Sequence, residues 1–305
     1  MPITPSPAAQ RACDVLQHLA QRPTESFSVS EIARSLDVPR ATCDSVLQAL
    51  AERSFVRRGD DLRYGLGPSC IAVGDAARIA NPVLRATSTE AEQLARDLGA
   101  CTAVSVRSGD KSRVAEVFDF GPPFGSRAQV GQSIPHSPPF GAVYVAWDER
   151  DAIAWISRAG DTVGHNQRDR YRRALDEVRR RGYSVTIVTP QQPELAAALE
   201  TLANEPDAAH ARRTRDEVIA ALAHSEYLAT DLDANTTIRV SHMSAPVFDR
   251  AQRAVSSILI VGPDYEIANT ELRARGDRLA RAAQRATEQA GGHAPPIHAK
   301  APEPS

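Results

Sequence analysis

The sequence has few cysteines, almost no lysine and no long apolar run. Its four cysteines, at positions 13, 43, 70 and 101, lie far apart, which excludes a zinc ribbon or a C-x-x-C redox pair and favours free thiols. No stretch approaches the roughly 20 apolar residues of a membrane span, and the first residues lack a basic segment followed by an apolar one. We therefore expect a cytoplasmic protein that does not enter a membrane.

The sequence also lacks a large excess of positive or negative charge. The 305 residues carry 36 Lys and Arg against 38 Asp and Glu, which excludes a histone-like polycation. Only Lys111 and Lys300 are lysines, so arginine carries nearly all the positive charge and an arginine-rich stretch says little about function. Apolar residues at 42% and charged residues at 24% are typical of globular proteins, and the length suggests two domains.

Residues 1–67 have the pattern of a winged helix-turn-helix. Apolar residues recur at helical spacing up to Gln21, and Pro23 ends that helix. Ser28 followed by Glu31 predicts a capping box at the start of a short second helix. Pro39 suits the first turn of a third helix, which buries Cys43 and Leu47. Two short strands follow, predicted at 55–58 and 62–65, with a turn at 59–61 between them.

The rest of the chain predicts a linker helix and a second domain. Residues 68–82 form a mostly apolar helix, which we expect to be buried against another subunit or the second domain. Residues 83–290 alternate strand pairs with helices, which favours an α+β fold with an antiparallel sheet. Within them, the polar, Ala-rich stretch 190–236 is an expected insertion, either a lid over a pocket or a surface elaboration. The Pro- and Ala-rich tail 291–305 is expected to be disordered.

The third helix of the first domain is a candidate DNA-reading helix. Short polar side chains at its start fit a major groove, while serines at the start of the second helix and arginines on the wing are placed to reach phosphates or the minor groove. The predicted DNA-binding residues are Ser28, Ser30, Arg40, Ala41, Thr42, Ser45, Arg57, Arg58 and Arg63. However, residues 1–67 hold eight Arg and eight Asp and Glu, so a winged module that binds only proteins remains an alternative.

At these residues the sequence resembles the IclR family of bacterial transcriptional regulators. Residues 28–42, SVSEIARSLDVPRAT, are similar to its helix-turn-helix, and RYGLGP at 63–68 is similar to its Y-x-L-G segment after the wing. Further matches follow in the family's order. They are GQSIPH at 131–136 with Gly141, RRRGY at 179–183, APVFD at 245–249, and Gly262 with Pro263.

The resemblance implies a transcription regulator that binds a palindromic double-stranded DNA operator as a homodimer or tetramer. It also implies a C-terminal GAF-like domain that binds a small effector, often one bearing a carboxylate. One departure concerns the reading helix, where the family often has Arg at the position of Ser45. Asp44 would repel phosphate, although it is able to accept a hydrogen bond from cytosine N4.

The resemblance also maps effector-binding positions onto this chain. They are His136, Pro139, Phe140, Tyr144, Thr186, His242, Leu259 and Val261. The family's acidic pair is missing here, its cysteine is His242, and its small serines are Leu259 and Val261. Fewer groups are left to bind a carboxylate, so we expect a larger, more apolar or aromatic effector. The alternative is that these side chains fill a core and no effector binds.

No pattern indicates an enzyme, a metal site or a cofactor. The sequence lacks G-x-S-x-G, H-E-x-x-H, a P-loop and G-x-G-x-x-G. We therefore expect no catalytic residues, no metal ligands and no cofactor. A ligand-responsive, DNA-binding regulator is the favoured function, and a winged-helix protein-interaction module is the alternative.

Overall fold

The structure, a computed structural model, describes residues 6–122, 128, 130–159, 164–189, 228–232, 236–263 and 265–296, with isolated positions between 194 and 221. The chain divides into two compact units. One comprises Met1–Ala80 and Pro193–Val218, and the other comprises Asn81–Gln192 and Ile219–Ser305. Within the described ranges, no helix is long and apolar enough to cross a membrane.

Residues 6–80 of the first unit form three helices, a hairpin and a fourth helix. They are α1 (Pro7–Gln21), α2 (Val29–Ser35), α3 (Arg40–Glu52), β1 (Val56–Arg58), β2 (Tyr64–Leu66) and α4 (Pro68–Ala80). The core joins Leu19 of α1, Ile32 of α2 and Leu47 of α3 with Tyr64 of the hairpin. The predicted winged helix-turn-helix is confirmed.

Local interactions define the start of α2 and the turn that leads to α3. The predicted capping box is present, because the Ser28 backbone N–H donates to the Glu31 carboxylate at 2.7 Å and the Glu31 N–H donates to Ser28 Oγ at 3.3 Å. Asp37, in the turn, adopts a left-handed φ of 51°. Pro39 flanks the start of α3, one position before the helix rather than inside its first turn. The prediction that residues 62 and 63 belong to the second strand is wrong, since β2 begins at Tyr64.

The second unit contains a six-stranded antiparallel sheet and helices. In chain order its elements are α5 (Pro82–Leu98), β3 (Cys101–Ser108), β4 (Lys111–Asp119), β5 (Ser133–Pro135), α6 (Ala142–Val145), α7 (Glu149–Ser157), α8 (His165–Arg181), β6 (Ser184–Ile187), β7 (Thr237–Ile238), β8 (Val240–Phe248), β9 (Ala254–Val261), β10 (Ile267–Ala268) and α9 (Asn269–Gln289). The sheet order is β5-β4-β3-β9-β8-β6, and β7 pairs separately with β10. The predicted α+β class with an antiparallel sheet is confirmed.

One face of the sheet packs on α5 and α9. Val104, Met243 and Ile258 from the strands join Leu94 of α5 and Leu279 of α9 in a continuous apolar core. Because side chains alternate along a strand, the neighbouring residues face the other side of the sheet. The strand registers place His242 opposite Val261 and Ser244 opposite Leu259 on that second face.

Two segments with unusual sequence meet this core at their ends. Most of the predicted insertion 190–236 lies outside the described residues, but near its end the Ala229 N–H donates to the Val185 carbonyl at 3.0 Å, alongside β6. In the predicted tail, the Gly292 N–H donates to the Thr287 carbonyl at 2.8 Å, so its first residues follow directly on α9. Residues 297–305 lie outside the described part of the chain.

Candidate nucleic-acid interface and effector face

The exposed face of α3 is formed by its short polar side chains. Cys43 and Leu47 are buried, whereas Arg40, Ala41 and Ser45 are exposed. The Ser45 hydroxyl donates to the Ala41 carbonyl at 3.0 Å, so its oxygen remains open to accept a hydrogen bond. The exposed face therefore carries one cation, a methyl group and an acceptor, arranged along a helix whose other side is anchored in the core.

Thr42 and Asp44 modify that face in different ways. Thr42 is half-buried and lines a small cavity with Arg11 and Asp14 of α1, so it lies at the edge of the exposed face. Asp44 is exposed and lies between Arg40 and Ser45 in sequence. The face consequently has a mixed charge, which suits selective hydrogen bonding better than general attraction to phosphate.

The arginines of the wing divide into two exposed ones and one that is bound. Arg57 and Arg58 are exposed on β1, and the Arg58 guanidinium lies 5.6 Å from the centre of the Tyr64 ring. Arg63 instead donates to the Glu31 carboxylate at 2.8 Å and to the Ser26 carbonyl at 2.9 Å. Arg63 therefore holds the hairpin against α2, a role that the sequence pattern did not reveal.

The start of α2 is occupied by its own capping interactions. The Ser28 hydroxyl accepts from the Glu31 N–H, and Ser30 lies partly exposed in the first turn. The Ser28 backbone N–H lowers the pKa of Glu31, and Arg63 lowers it further. Glu31 is thus held as a carboxylate between the helix start and the wing.

On the second unit, half of the predicted effector positions lie on one sheet face. His242 Nε2 is 3.2 Å from the Thr186 hydroxyl, and its Nδ1 is 3.3 Å from the Ser241 hydroxyl. Leu259 and Val261 alternate with core residues on the adjacent strand. Burial lowers the pKa of His242 to about 4, so the imidazole is neutral near pH 7. This group, which we call the effector face, comprises Thr186, His242, Leu259 and Val261.

The other predicted effector positions lie between β5 and the end of α6. The His136 ring stacks on Tyr144 with 4.7 Å between centroids, and His136 is 1% exposed. Burial, and then Arg107 and Arg158, lower the pKa of His136 to about 4. Pro139 is buried, and the Phe140 carbonyl accepts from the Trp155 indole at 2.6 Å. Both His136 and His242 are therefore uncharged at neutral pH.

Tyr144 connects this segment to the sheet. Its hydroxyl donates to the Ser105 carbonyl at 2.9 Å and lies 2.7 Å from Ser105 Oγ and 3.3 Å from Ser257 Oγ. Burial raises the pKa of Tyr144 to about 12. Ser257 is two positions from Leu259 on β9, so Tyr144 reaches the same side of the sheet as the effector face. The hydroxyls of Ser105, Ser244 and Ser257 on that side were not predicted from the sequence, although strand alternation points to them.

Among the residues that the structure describes, no three His, Cys, Asp or Glu side chains cluster in a way that would hold a metal ion. The described effector face is composed of hydroxyl, imidazole and aliphatic groups. It suits recognition by neutral hydrogen bonds and apolar contact.

Comparisons with known proteins agree with this architecture. Residues 8–60 match the family model of the IclR helix-turn-helix domain. A search of curated protein sequences gives no match. The solved IclR transcriptional regulator of Alicyclobacillus acidocaldarius is similar in structure, with 21% identity, 94% of this chain and 100% of that chain covered, and a TM-score of 0.67.

Two other solved structures have the same fold. HmgR of Pseudomonas aeruginosa shows 20% identity over 94% of this chain and 100% of its own, with a TM-score of 0.62. An IclR homologue from Microbacterium hydrocarbonoxydans, solved in complex with 4-hydroxybenzoate, shows 15% identity over 93% and 99% of the two chains, with a TM-score of 0.62. At these identities the likeness establishes the fold.

Proposed function

We propose that this chain, a transcriptional regulator of the IclR family, acts in the cytoplasm by binding double-stranded operator DNA as a homodimer or tetramer in response to a small, rather apolar organic effector. The observation that carries DNA binding is the exposed face of α3, where Arg40 and Ser45 stand outward from a helix anchored by Cys43 and Leu47. A helix held in this way inserts into a major groove, and its exposed side chains meet base edges.

The arginine on α3 and the arginines on the wing have different roles in this proposal. Arg40 reads a base, most favourably guanine, while Arg57 and Arg58 on the wing contact phosphates. Arg63 supports the wing because its guanidinium is bound by Glu31. The alternative is a module that binds only proteins, which the balanced charge of residues 1–67 leaves open.

The test of DNA binding measures affinity for duplex DNA. We would recover a duplex from a random-sequence pool with the wild-type protein and measure its affinity by fluorescence anisotropy at several salt concentrations. Affinity should fall steeply as salt rises, because phosphate contacts release counterions. The Arg40→Ala change should weaken binding by about tenfold or more, the value of one arginine–base contact.

Arg85→Ala is the matched control, because Arg85 is an exposed arginine on α5 in the other unit. It removes the same charge and should leave the affinity nearly unchanged. If Arg40→Ala, or the double variant Arg40→Ala with Thr42→Ala, binds as tightly as the wild type, the assignment of α3 as the reading helix is wrong. If the wild type recovers no duplex, the protein-interaction module becomes the favoured function.

Self-association is supported by α4. This 13-residue helix has no buried residue, and Ile71 and Ile79 are 68% and 67% exposed. Large apolar side chains grouped on an exposed helix mark an interaction surface. A second copy of the same helix is the occupant we propose, since a regulator that reads a palindromic operator has two-fold symmetry.

The effector is proposed to be small, neutral and partly apolar. The effector face offers Leu259 and Val261 for contact, and Thr186 and a neutral His242 for hydrogen bonding. The four described residues of the effector face include no cation, so burying a carboxylate against them would be costly. A relative of the same fold was solved with 4-hydroxybenzoate, which supports an aromatic ligand for this fold.

A pair of probes tests whether the effector is neutral or bears a carboxylate. p-Cresol and 4-hydroxybenzoate differ in a methyl group against a carboxylate, and each would be tested for its effect on Tm. We expect p-cresol to raise Tm and 4-hydroxybenzoate to have little effect. The change His242→Ala should abolish the shift, while His165→Ala, an exposed histidine on α8, should not. If no compound in a wider panel shifts Tm, the alternative that these residues only fill a core is favoured.

A further inference from the structure

The tip of the β1–β2 hairpin contains a leucine in a conformation that suits glycine. The Gly59 N–H donates to the Arg63 carbonyl at 2.8 Å, and the Leu62 N–H donates to the Gly59 carbonyl at 3.0 Å. These bonds close a tight turn in which Leu62 has a left-handed φ of 61°. In hairpin loops of this kind the left-handed position is normally filled by glycine.

Nothing in the described fold compensates for the conformational cost of this leucine. L-residues with a side chain are disfavoured in the left-handed region because Cβ approaches the following carbonyl oxygen. Leu62 is also 59% exposed, so it contributes little to the core of the unit. The other described non-glycine residues with positive φ are polar, namely Asp37, Ser54 and Gln252. A strained, exposed apolar residue points to a role in binding.

The charges around Leu62 indicate what it binds. Arg57 and Arg58 are exposed on the adjoining strand, so two cations able to attract phosphates lie close to Leu62 in the hairpin. The Asp61 carboxylate accepts from the Arg63 N–H at 3.1 Å, so it is turned back into the loop. Asp60 remains exposed at the tip. It disfavours a phosphate there, but it is able to accept from the amino group of guanine, the donor that the minor groove offers.

We propose that Leu62 inserts into the minor groove of the bound duplex and partly unstacks a base step. Apolar side chains act in this way in proteins that bend DNA from the minor groove. This inference rests on the proposed DNA binding, which places the hairpin beside the duplex. It makes Leu62 a binding residue that works against the stability of its own loop.

The test compares stability and DNA affinity in the full chain. The probe is the duplex recovered by the wild-type protein from a random-sequence pool. The Leu62→Gly change relieves the left-handed strain and should raise Tm by about 2–4 °C. The same change should weaken binding about five- to tenfold, because the apolar contact is lost. Leu62→Asn should also weaken DNA binding, because asparagine tolerates the left-handed conformation but is polar. Leu62→Met should bind DNA as tightly as the wild type, because methionine is apolar.

A spectroscopic measurement reports insertion directly. With 2-aminopurine placed at successive adenine positions of the duplex, wild-type protein should increase the fluorescence at one step, and Leu62→Gly should not. Opposite changes of Tm and affinity, together with loss of the fluorescence signal, would support the proposal. Unchanged affinity, or a Tm that does not rise, would overturn it.

The Arg40→Ala variant separates this inference from the proposed function. If Arg40→Ala binds weakly while Leu62→Gly binds like the wild type, the chain binds DNA without inserting Leu62. A contact of Leu62 with another protein would give that same result and would equally overturn the proposal. If the wild type binds no duplex, both proposals fail together.

Discussion

Arg63 and Glu31, 32 residues apart in sequence, form an ion pair with 2.8 Å between the guanidinium and the carboxylate. Glu31 is also the residue that completes the capping box of α2, where it accepts from the Ser28 N–H. The Glu31 carboxylate therefore both caps the start of α2 and holds the hairpin. This arrangement makes the position of the wing depend on the start of α2.

Replacing Arg63 with alanine should destabilise the first unit. Arg63→Ala removes one charge-assisted bond to Glu31 and one bond to the Ser26 carbonyl. We expect the free energy of unfolding to fall by about 1 kcal/mol, since the pair is partly exposed to solvent. The measurement is urea denaturation followed by circular dichroism.

Arg57→Ala is the control for this prediction. Arg57 is an exposed arginine on the same hairpin, so its removal should change the free energy of unfolding much less. The two variants should also differ in DNA binding, with Arg57→Ala losing a proposed phosphate contact and little stability. Equal loss of stability in both would contradict the structural role of Arg63.

His136 in the second unit predicts a dependence of stability on pH, and His242, whose pKa burial also lowers to about 4, acts in the same direction. His136 has a pKa of about 4 in the folded protein against an ordinary value of 6.5. Above about pH 6.5 it is neutral in both folded and unfolded chains. As pH falls below that value the unfolded chain takes up a proton that the folded chain does not, so stability is lost until the pH reaches about 4. The slope contributed by this residue approaches about 1.4 kcal/mol per pH unit.

Denaturation midpoints measured between pH 7.5 and 4.5 would check this slope. The His136→Gln variant, which does not titrate, should show a shallower loss of stability over the same range, even if its stability at pH 7 is lower. His165→Ala, which removes an exposed histidine, should keep the wild-type slope. Parallel curves for wild type and His136→Gln would mean that His136 titrates normally in the fold.

Local patterns in the sequence were enough to predict the helices of the first unit. The capping box at Ser28 and Glu31 was predicted correctly, because it depends on residues a few positions apart. The strands β5, β7 and β10 were missed. They have two or three residues each, which is too short for a period of two to be seen.

The candidate site was predictable only in part, for a different reason. Positions such as His242 and Leu259 came from the resemblance to a family. Their partners on the neighbouring strand, Val261 for His242 and Ser244 for Leu259, depend on a strand register that the sequence of one strand does not specify. The binding of Arg63 by Glu31 joins distant parts of the chain, so the sequence indicated only that an arginine lay on the wing. The strain at Leu62 is a backbone property, and the sequence placed that residue in a strand.

A close contact between α9 and Tyr183 predicts a sensitive glycine. An added Cβ at Gly276 would lie far inside van der Waals contact with Cζ of the Tyr183 ring. Because both residues are buried in the second unit, we expect Gly276→Ala to lower the free energy of unfolding by about 2–3 kcal/mol. Gly74→Ala is the matched control on α4, where an added Cβ meets nothing within 4 Å.

The control variant Gly74→Ala should not lower Tm in thermal melts. Alanine is favoured over glycine within a helix by up to about 1 kcal/mol, so Gly74→Ala should leave Tm unchanged or raise it. A Gly276→Ala protein as stable as the wild type would show that Tyr183 moves freely away from α9. It would then be unnecessary to invoke a fixed contact between the RRRGY segment and the last helix.

The exposed apolar residues of α4 predict the assembly of the protein. Each of Ile71, Val73 and Ile79 is more than half exposed. Burying an isoleucine contributes about 1.5–3 kcal/mol, and placing a carboxylate in such an interface costs more than that gain. The Ile79→Asp change should therefore raise the Kd of the proposed dimer by about 100-fold or more. Sedimentation velocity over a range of concentrations measures this change.

The exposure of α4 allows an effect on association to be separated from an effect on folding. Because α4 has no buried residue in the single chain, Ile79→Asp should leave the circular dichroism spectrum and the fold of each unit intact. Ile153→Asp introduces the same charge at an equally exposed isoleucine on α7, and it should leave the dimer unchanged. If Ile79→Asp remains dimeric while Ile153→Asp becomes monomeric, the subunits associate through the second unit. DNA affinity should fall with dimerisation in Ile79→Asp, since two reading helices bind a palindrome more tightly than one.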